Sequence, residues 1–416
     1  MRILKLTPQT EKWLLARRTQ QDTEAHRVAE EIVEDVRKRG DAALFAYTRK
    51  FDGTDLAKTG VWIEEKDIRA ARKATSAKFQ KAIEKTAENV RRVAKKQLPR
   101  SWTIETTPGV KIHQTVRPIE TIGSYIPGGR FSLVSTLVMT AVPAKVAGVP
   151  SIVAVCPKPN PELLAAAGIL GIERIARIGG AQAIAALAYG TRSVPQVDKI
   201  FGPGNKYVTA AKQIVSNDCA IDLPAGPTEA IVFAEHGNAR WIAADLLAQA
   251  EHAKDAASFF VTTSRYLASE VQHEVQRQLA KMPNSMAHCS TQASGAILLA
   301  NSADRACEFI NRFAPEHLSL PESAEKLFGK IRSSGTVFLG PWGAQPLGDY
   351  ATGSNHVLPT GGWARMRGGL SAADFVKCIS VQTISNRGFL QLAEAVETLA
   401  ESEGLMAHRN AVRVRR

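Results

Sequence analysis

The stretch A-P-E-H-L, Ala314 to Leu318, sets a carboxylate and an imidazole side by side, Glu316 and His317, between a proline and apolar residues. These are the usual carriers of protons near neutral pH. Adjacency alone leaves two readings open, a solvated loop after the run C-E-F-I-N-R-F or an acid–base pair. A second group lies in A-R-W-I-A-A-D-L-L-A-Q-A-E-H-A-K-D (239–255). Helical spacing there aligns Ile242, Leu246, Gln249 and His252 or Ala253, so the polar Gln249 and His252 interrupt an apolar face. Burying such groups unpaired is costly, which leaves a hydrogen-bonded pair or a metal or substrate site. A third group is L-G-D-Y-A-T-G-S-N-H-V-L-P-T-G-G (347–362), where Asp349 and His356 stand on a glycine-rich loop, or Asp349 simply makes an Asx turn. Glu403 and His408 fall in a terminal helical run. With nine histidines in the chain, His252, His317, His356 and His408 form the candidate set. Q-H-E-V-Q (272–276) lacks the second histidine of a zinc-protease helix and is set aside.

Three glycine-rich junctions could cradle an anion. They are S-Y-I-P-G-G-R-F-S-L-V-S-T (124–136), R-I-G-G-A-Q-A-I-A-A-L-A-Y-G (177–190) and I-F-G-P-G-N-K-Y-V-T-A-A-K (200–212). Each joins a short strand to a helix, and none completes the dinucleotide fingerprint, so each alone is equally a tight turn. Together they point to a crevice at the strand ends of an open sheet, with a nucleotide as the ligand.

The elements that must position these groups alternate. The first hundred residues read as helix, with Asp22 or Thr23 capping a run that Gly40 stops, and a second run from Lys66 to Gln97. From Thr121 onward, β-branched runs S-I-V-A-V (151–155), A-I-V-F-A (230–234), F-F-V-T-T (259–263), A-I-L-L-A (296–300) and T-V-F-L (336–339) alternate with helices. That is the pattern of α/β architecture with mostly parallel sheets. From about Ser371 the chain turns helical again.

The 416 residues allow two domains, and 44% hydrophobic with 22% charged residues is ordinary for a globular protein with a real core. No apolar run reaches a membrane span, the N-terminus does not read as a secretory signal, and five scattered cysteines lack metal or disulfide spacing. A cytoplasmic, reduced protein with no membrane partner is expected. The net charge of +13 is concentrated between Lys66 and Arg100, with twelve Lys or Arg against three Asp or Glu, and in the tail R-N-A-V-R-V-R-R. Neither cluster carries aromatic platforms or a nucleic-acid signature, so a solvated helix face is expected and no nucleic acid.

Taken in order, Y-I-P-G-G, G-G-A-Q-A-I-A-A-L-A-Y-G-T, F-G-P-G-N, D-L-P-A-G-P-T-E, L-L-A-Q-A-E-H, A-P-E-H-L, G-D-Y-A-T-G-S-N-H-V-L-P-T and A-H-R-N-A-V resemble the motifs of the histidinol dehydrogenase family, across nearly the whole chain. The resemblance implies two incomplete Rossmann-like parallel-sheet domains with helical N-terminal and C-terminal extensions. The implied parts are an N-terminal helical extension (1–20), a discontinuous first α/β domain (21–120 with 230–370), a second, NAD-binding one (121–229) and a dimerising helical tail (371–416). It implies oxidation of L-histidinol to L-histidine in two NAD-dependent steps through a bound aldehyde, with one zinc ion per site. Gln249, His252, Asp349 and His408 would hold the zinc. Glu316 and His317 would be the acid–base pair. Thr228, Gln249, His252, His317, Asp349, His356, Glu403 and His408 would contact substrate, and Tyr125, Gln182 and Asn205 would contact NAD. A homodimer would share each active site between chains. Two departures stand out: Arg130 in P-G-G-R-F-S, and Thr228 where serine is commoner. A guanidinium near the site favours an anionic group, so a related dehydrogenase acting on another small alcohol, such as a sulfonated diol, is the alternative.

Overall fold

The β-branched runs do form strands, and they assemble into two parallel sheets. The computed structural model describes residues 1–18, 22–128, 132–224 and 226–416. Among these the strands are β1 (Arg2–Lys5), β2 (Trp102–Thr107), β3 (Val110–Pro118), β4 (Thr121–Tyr125), β5 (Ser151–Val155), β6 (Ile175–Ala176) and β7 (Lys199–Phe201). They continue with β8 (Ala220–Ile221), β9 (Glu229–Phe233), β10 (Ala257–Thr262), β11 (Ala296–Leu299), β12 (His317–Leu320), β13 (Thr336–Leu339) and β14 (Val376–Ile384). One sheet runs β1-β11-β10-β9-β12-β13 and the other β6-β5-β4-β7-β8, all pairs parallel. Counted from β9 and from β4, both follow the order 3-2-1-4-5 of a half-Rossmann unit, with β1 added at one edge. All five residues of β9 are buried, as a strand covered on both faces requires.

The N-terminal helices serve the second sheet. Helices Thr23–Arg39 and Asp41–Asp52 pack with Val153 and Val155 of β5 on one face. Helices Glu65–Ala74 and Ala77–Gln97 pack with Ala154 and Cys156 on the other. The sequence reading grouped 21–120 with 230–370; in the fold the helices of that segment instead complete the 121–229 sheet, whose two faces both need cover. The basic run is split by Ser76, which caps the second helix, and Ile83, Ala87, Val90 and Ala94 face inward. Asp22 does cap the first long helix, accepting from the Ala25 N–H at 2.9 Å, and Gly40 ends it.

Both ends of the chain carry a strand beside their helices. Residues 1–20 are not purely helical, because β1 joins the edge of the six-stranded sheet through β11. The tail is not helical from Ser371, because β14 pairs antiparallel with β3 along nine residues, and β3 with β2, making a third sheet. Helices Asn386–Ser402 and Met406–Arg413 then complete the tail. Among the described residues no helix is long and apolar enough to cross a membrane.

Candidate active site

The two site-bearing segments of the six-stranded sheet enter at the amino ends of neighbouring strands. Thr228 immediately precedes β9 and His317 opens β12, and the strands pair His317 with Ala230. Ala314 ends helix Ala303–Phe313 in a left-handed conformation (φ 49), which turns the chain sharply before Glu316. Glu316 and His317 are therefore buried, at 7% and 3% exposure, rather than solvated in a loop.

Their surroundings are polar and specific. Glu316 Oε2 accepts from the Thr228 hydroxyl and from the Glu229 N–H, the latter at 2.9 Å. Gln249, fully buried on helix Ala239–Ala250, donates through Nε2 to Thr228 Oγ1 at 2.6 Å and accepts from Gln345 through Oε1. The interruption of the apolar stripe is thus a chain Gln345–Gln249–Thr228–Glu316. His317 lies with Nδ1 3.7 Å from Glu316 and Nε2 3.5 Å from Asp349, yet neither ring nitrogen makes a hydrogen bond. These contacts are electrostatic. Burial by itself disfavours a charged ring, but the flanking Glu316 and Asp349 outweigh it and hold the His317 pKa above the ordinary imidazole value. For Asp349 burial pushes up and His317 pulls further down, so the carboxyl ends below its usual range. His356 is held low by burial; its Nδ1 contacts the Asp349 carbonyl at 2.9 Å and its Nε2 lies 3.5 Å from Thr136 Oγ1. That last contact reaches the helix following β4, so the site lies where the amino edge of the first sheet meets the second unit. Asn355 fastens the same loop, donating to the Met139 carbonyl at 2.7 Å.

The structure brings together Thr228, Gln249, Glu316, His317, Asp349 and His356, with His252 exposed on the rim and its charge acting on Asp349 and His356. It does not bring Glu403 or His408 there: both are exposed on the tail and make no hydrogen bond or ion pair to these groups among the described residues. In the second unit, Tyr125 ends β4 and its hydroxyl accepts from the Gly180 N–H at 3.1 Å, two residues before the buried Gln182. Asn205 is exposed, and its side chain caps helix Lys206–Val215 through the N–H groups of Tyr207 and Val208. Arg130 lies outside the described residues. Sequence reasoning missed Gln345, Glu229 and Arg18, the last of which binds both carboxylate oxygens of Glu229. Glu229 stood in the motif D-L-P-A-G-P-T-E, but nothing local marked its partner.

The donors fit a zinc ion in part. Among the described residues no three His, Cys, Asp or Glu side chains close a metal cluster within one chain. Gln249, His252 and Asp349 still share one corner and offer the nitrogen and oxygen donors zinc accepts. For NAD, the buried Gln182 Oε1 has no hydrogen-bond partner, beside a glycine at positive φ (Gly180, 65°) at a helix start.

The histidinol dehydrogenase family model matches residues 15–416. The chain is similar to histidinol dehydrogenase of Geobacter sulfurreducens, 43% identical over 410 residues, covering 97% of this chain and 96% of that protein. It is likewise similar to that of Methanosarcina mazei, 43% identical over 393 residues, covering 92% and 90%. The crystal structure of histidinol dehydrogenase from Elizabethkingia anophelis superposes with a TM-score of 0.93 at 38% identity, covering 100% of this chain and 98% of that one.

Proposed function

The chain belongs to the histidinol dehydrogenase family, and on that premise we propose that it oxidises L-histidinol to L-histidine through the aldehyde, with two NAD and one zinc ion per site. NAD would accept a hydride in each step, and zinc, held by Gln249, His252, Asp349 and a His408, would anchor the substrate.

The observation that carries this reading is His317, buried between two carboxylates with both ring nitrogens free of hydrogen bonds. In the first step His317 takes the proton of the substrate hydroxyl as the carbon loses hydride, giving the aldehyde. Glu316 and Asp349 favour the imidazolium that results. In the second step Glu316 takes a proton from water as the oxygen adds to the aldehyde carbon, and the hydrated carbon loses the second hydride to give the carboxylate. Thr228 and the Glu229 N–H both hold Oε2 of Glu316, which leaves Oε1 for the water. Gln249 and Gln345 hold Thr228 in turn, and His356 and Thr228 would meet the substrate.

The fourth donor would come from a second copy of the chain. The tail exposes Leu390, Val396, Leu399, Leu405, Met406 and Val414, an apolar face that a monomer leaves in water. A twofold dimer covering it would deliver Glu403 and His408 to the partner's site.

Purified protein given L-histidinol should reduce two NAD for each substrate molecule consumed. Turnover of another small alcohol with none of histidinol would overturn the assignment.

A further inference from the structure

A carboxylate at the second sheet has no structural reason to be where it is. Asp52 is the last residue of helix Asp41–Asp52, at the negative end of the helix dipole, and it is half-buried. It forms no ion pair within 4 Å among the described residues; Lys158 is the one charge that bears on it. Burial pushes its carboxyl above the usual range, with Lys158 pulling the other way. Among the described residues its hydrogen-bond partner is Gln182, whose Nε2 donates to Oδ2 at 3.4 Å.

The location is specific. In the order β6-β5-β4-β7-β8, β4 is the first strand of the half-Rossmann unit and β5 the second. A dinucleotide on this topology places its pyrophosphate at the turn after the first strand. Its adenosine ribose lies near the end of the second, where an acid receives the 2′-hydroxyl. Here the turn after β5 reads C-P-K-P-N and contains no acid. Pro157 in that turn packs against the glycine turns after β4 and β6: a Cβ built on Gly128 or Gly179 would come within 2.5 or 2.6 Å of its ring. Asp52, carried in by the N-terminal helices, stands at this corner, close enough to Tyr125 and Cys156 for its charge to act on both. Beside it the Gln182 side chain is 1% exposed with Oε1 unpartnered, a buried acceptor awaiting a donor.

We infer that Asp52 supplies the missing acid, accepts the 2′-hydroxyl of the adenosine ribose with Gln182, and excludes the 2′-phosphate of NADP. The inference rests on the reading that Tyr125 and Gln182 line an NAD site. A 2′-phosphate carries close to two negative charges at neutral pH, and a carboxylate held half-buried against it repels. Without Asp52, the same corner keeps Lys158, which would receive that phosphate.

The test is direct binding of NAD and NADP to the full-length protein by titration calorimetry, for wild type, Asp52→Asn, Asp52→Ser and the double variant Asp52→Asn/Lys158→Gln. Far-UV circular dichroism confirms which variants fold, and Asp52→Ser serves if Asp52→Asn does not. Wild type should bind NAD in preference to NADP. Each single variant should weaken NAD and gain NADP, so that the affinity ratio falls by at least ~10-fold. The double variant should lose the NADP gain. A single variant that keeps the wild-type ratio overturns the inference, as does a wild type that binds both dinucleotides equally; in both cases the NAD site stands. A wild type that binds neither removes the NAD reading itself, and the inference falls with it.

Discussion

Arg18 and Glu229 form a buried two-pronged ion pair, and Glu229 passes its position on through its own N–H, which donates to Glu316 at 2.9 Å. The same guanidinium also donates to the carbonyls of Phe313 and Ala314 (3.0 Å to the latter) and lies 4.0 Å over the Phe313 ring. One side chain near the start of the chain therefore pins both the segment that carries Glu316 and the segment that hydrogen-bonds it. Burial pushes the Glu229 carboxyl up to about 7, with Arg18 opposing. Removing one partner of such a pair leaves a buried charge uncompensated, so Arg18→Met should cost about 3–5 kcal/mol. Arg18→Lys should recover only part, because an ammonium cannot hold both oxygens at once. Chemical denaturation of the three proteins measures this; an Arg18→Met midpoint equal to wild type would refute the pinning.

The pair Glu316–His317 should divide its labour. His317→Asn is expected to slow oxidation of histidinol about 10²–10⁴-fold, while oxidation of the supplied aldehyde falls less. Glu316→Gln should show the opposite bias. Rates with alcohol and aldehyde, measured separately, decide it, and equal small losses in both would return the pair to a structural role.

Much of this was legible in residue types. S-I-V-A-V, A-I-L-L-A and T-V-F-L appear as β5, β11 and β13 because β-branched runs between helical stretches have few alternatives. Gln249 announced itself by breaking an apolar stripe. What stayed hidden depends on partners far along the chain. Arg18 meets Glu229 across 211 residues, and Gln249 meets Gln345 across 96. The strand character of β14 comes from pairing with β3, and its residues are mostly exposed, so no buried alternation betrays it. Ala314 adopts a left-handed turn that nothing about alanine foretells.

Asp245 gives a pH-dependent signature. Burial pushes its carboxyl up to about 6, with the Gln345 main chain pulling the other way. A carboxyl raised in the fold favours the folded state when protonated. Its contribution is therefore complete below its unfolded value of 3.8 and is lost as pH rises through about 6. Asp245→Asn should stabilise the protein by roughly 1–3 kcal/mol at pH 7.5 and leave it unchanged near pH 3.5. Thermal unfolding at both values checks this, and an equal shift at both would contradict it.

Metal content is predicted alongside activity. Wild-type protein should hold one zinc per chain by elemental analysis, and chelation should abolish turnover until zinc is returned. His252→Ala and Asp349→Ala should each lower occupancy well below wild type. Stripped protein with full activity would exclude the proposed ligand set.

The placement of His408 makes the last prediction. It lies on helix Met406–Arg413, whose residues include none that is buried, and among the described residues it makes no hydrogen bond or ion pair with its own chain's His317. If a twofold partner brings it to the site, the two lesions His317→Asn and His408→Ala should complement. Each homodimer is inactive because every site carries one lesion. In a heterodimer one site inherits both lesions and the other inherits neither. Random mixing then restores about a quarter of wild-type sites, since half the dimers are mixed and each has one intact site. The chains are refolded together, heterodimers are isolated by two different affinity tags, and turnover is compared with that of each parent. If each site were built from a single chain, both sites of the heterodimer would remain dead, and verified heterodimers without activity would eliminate the shared site.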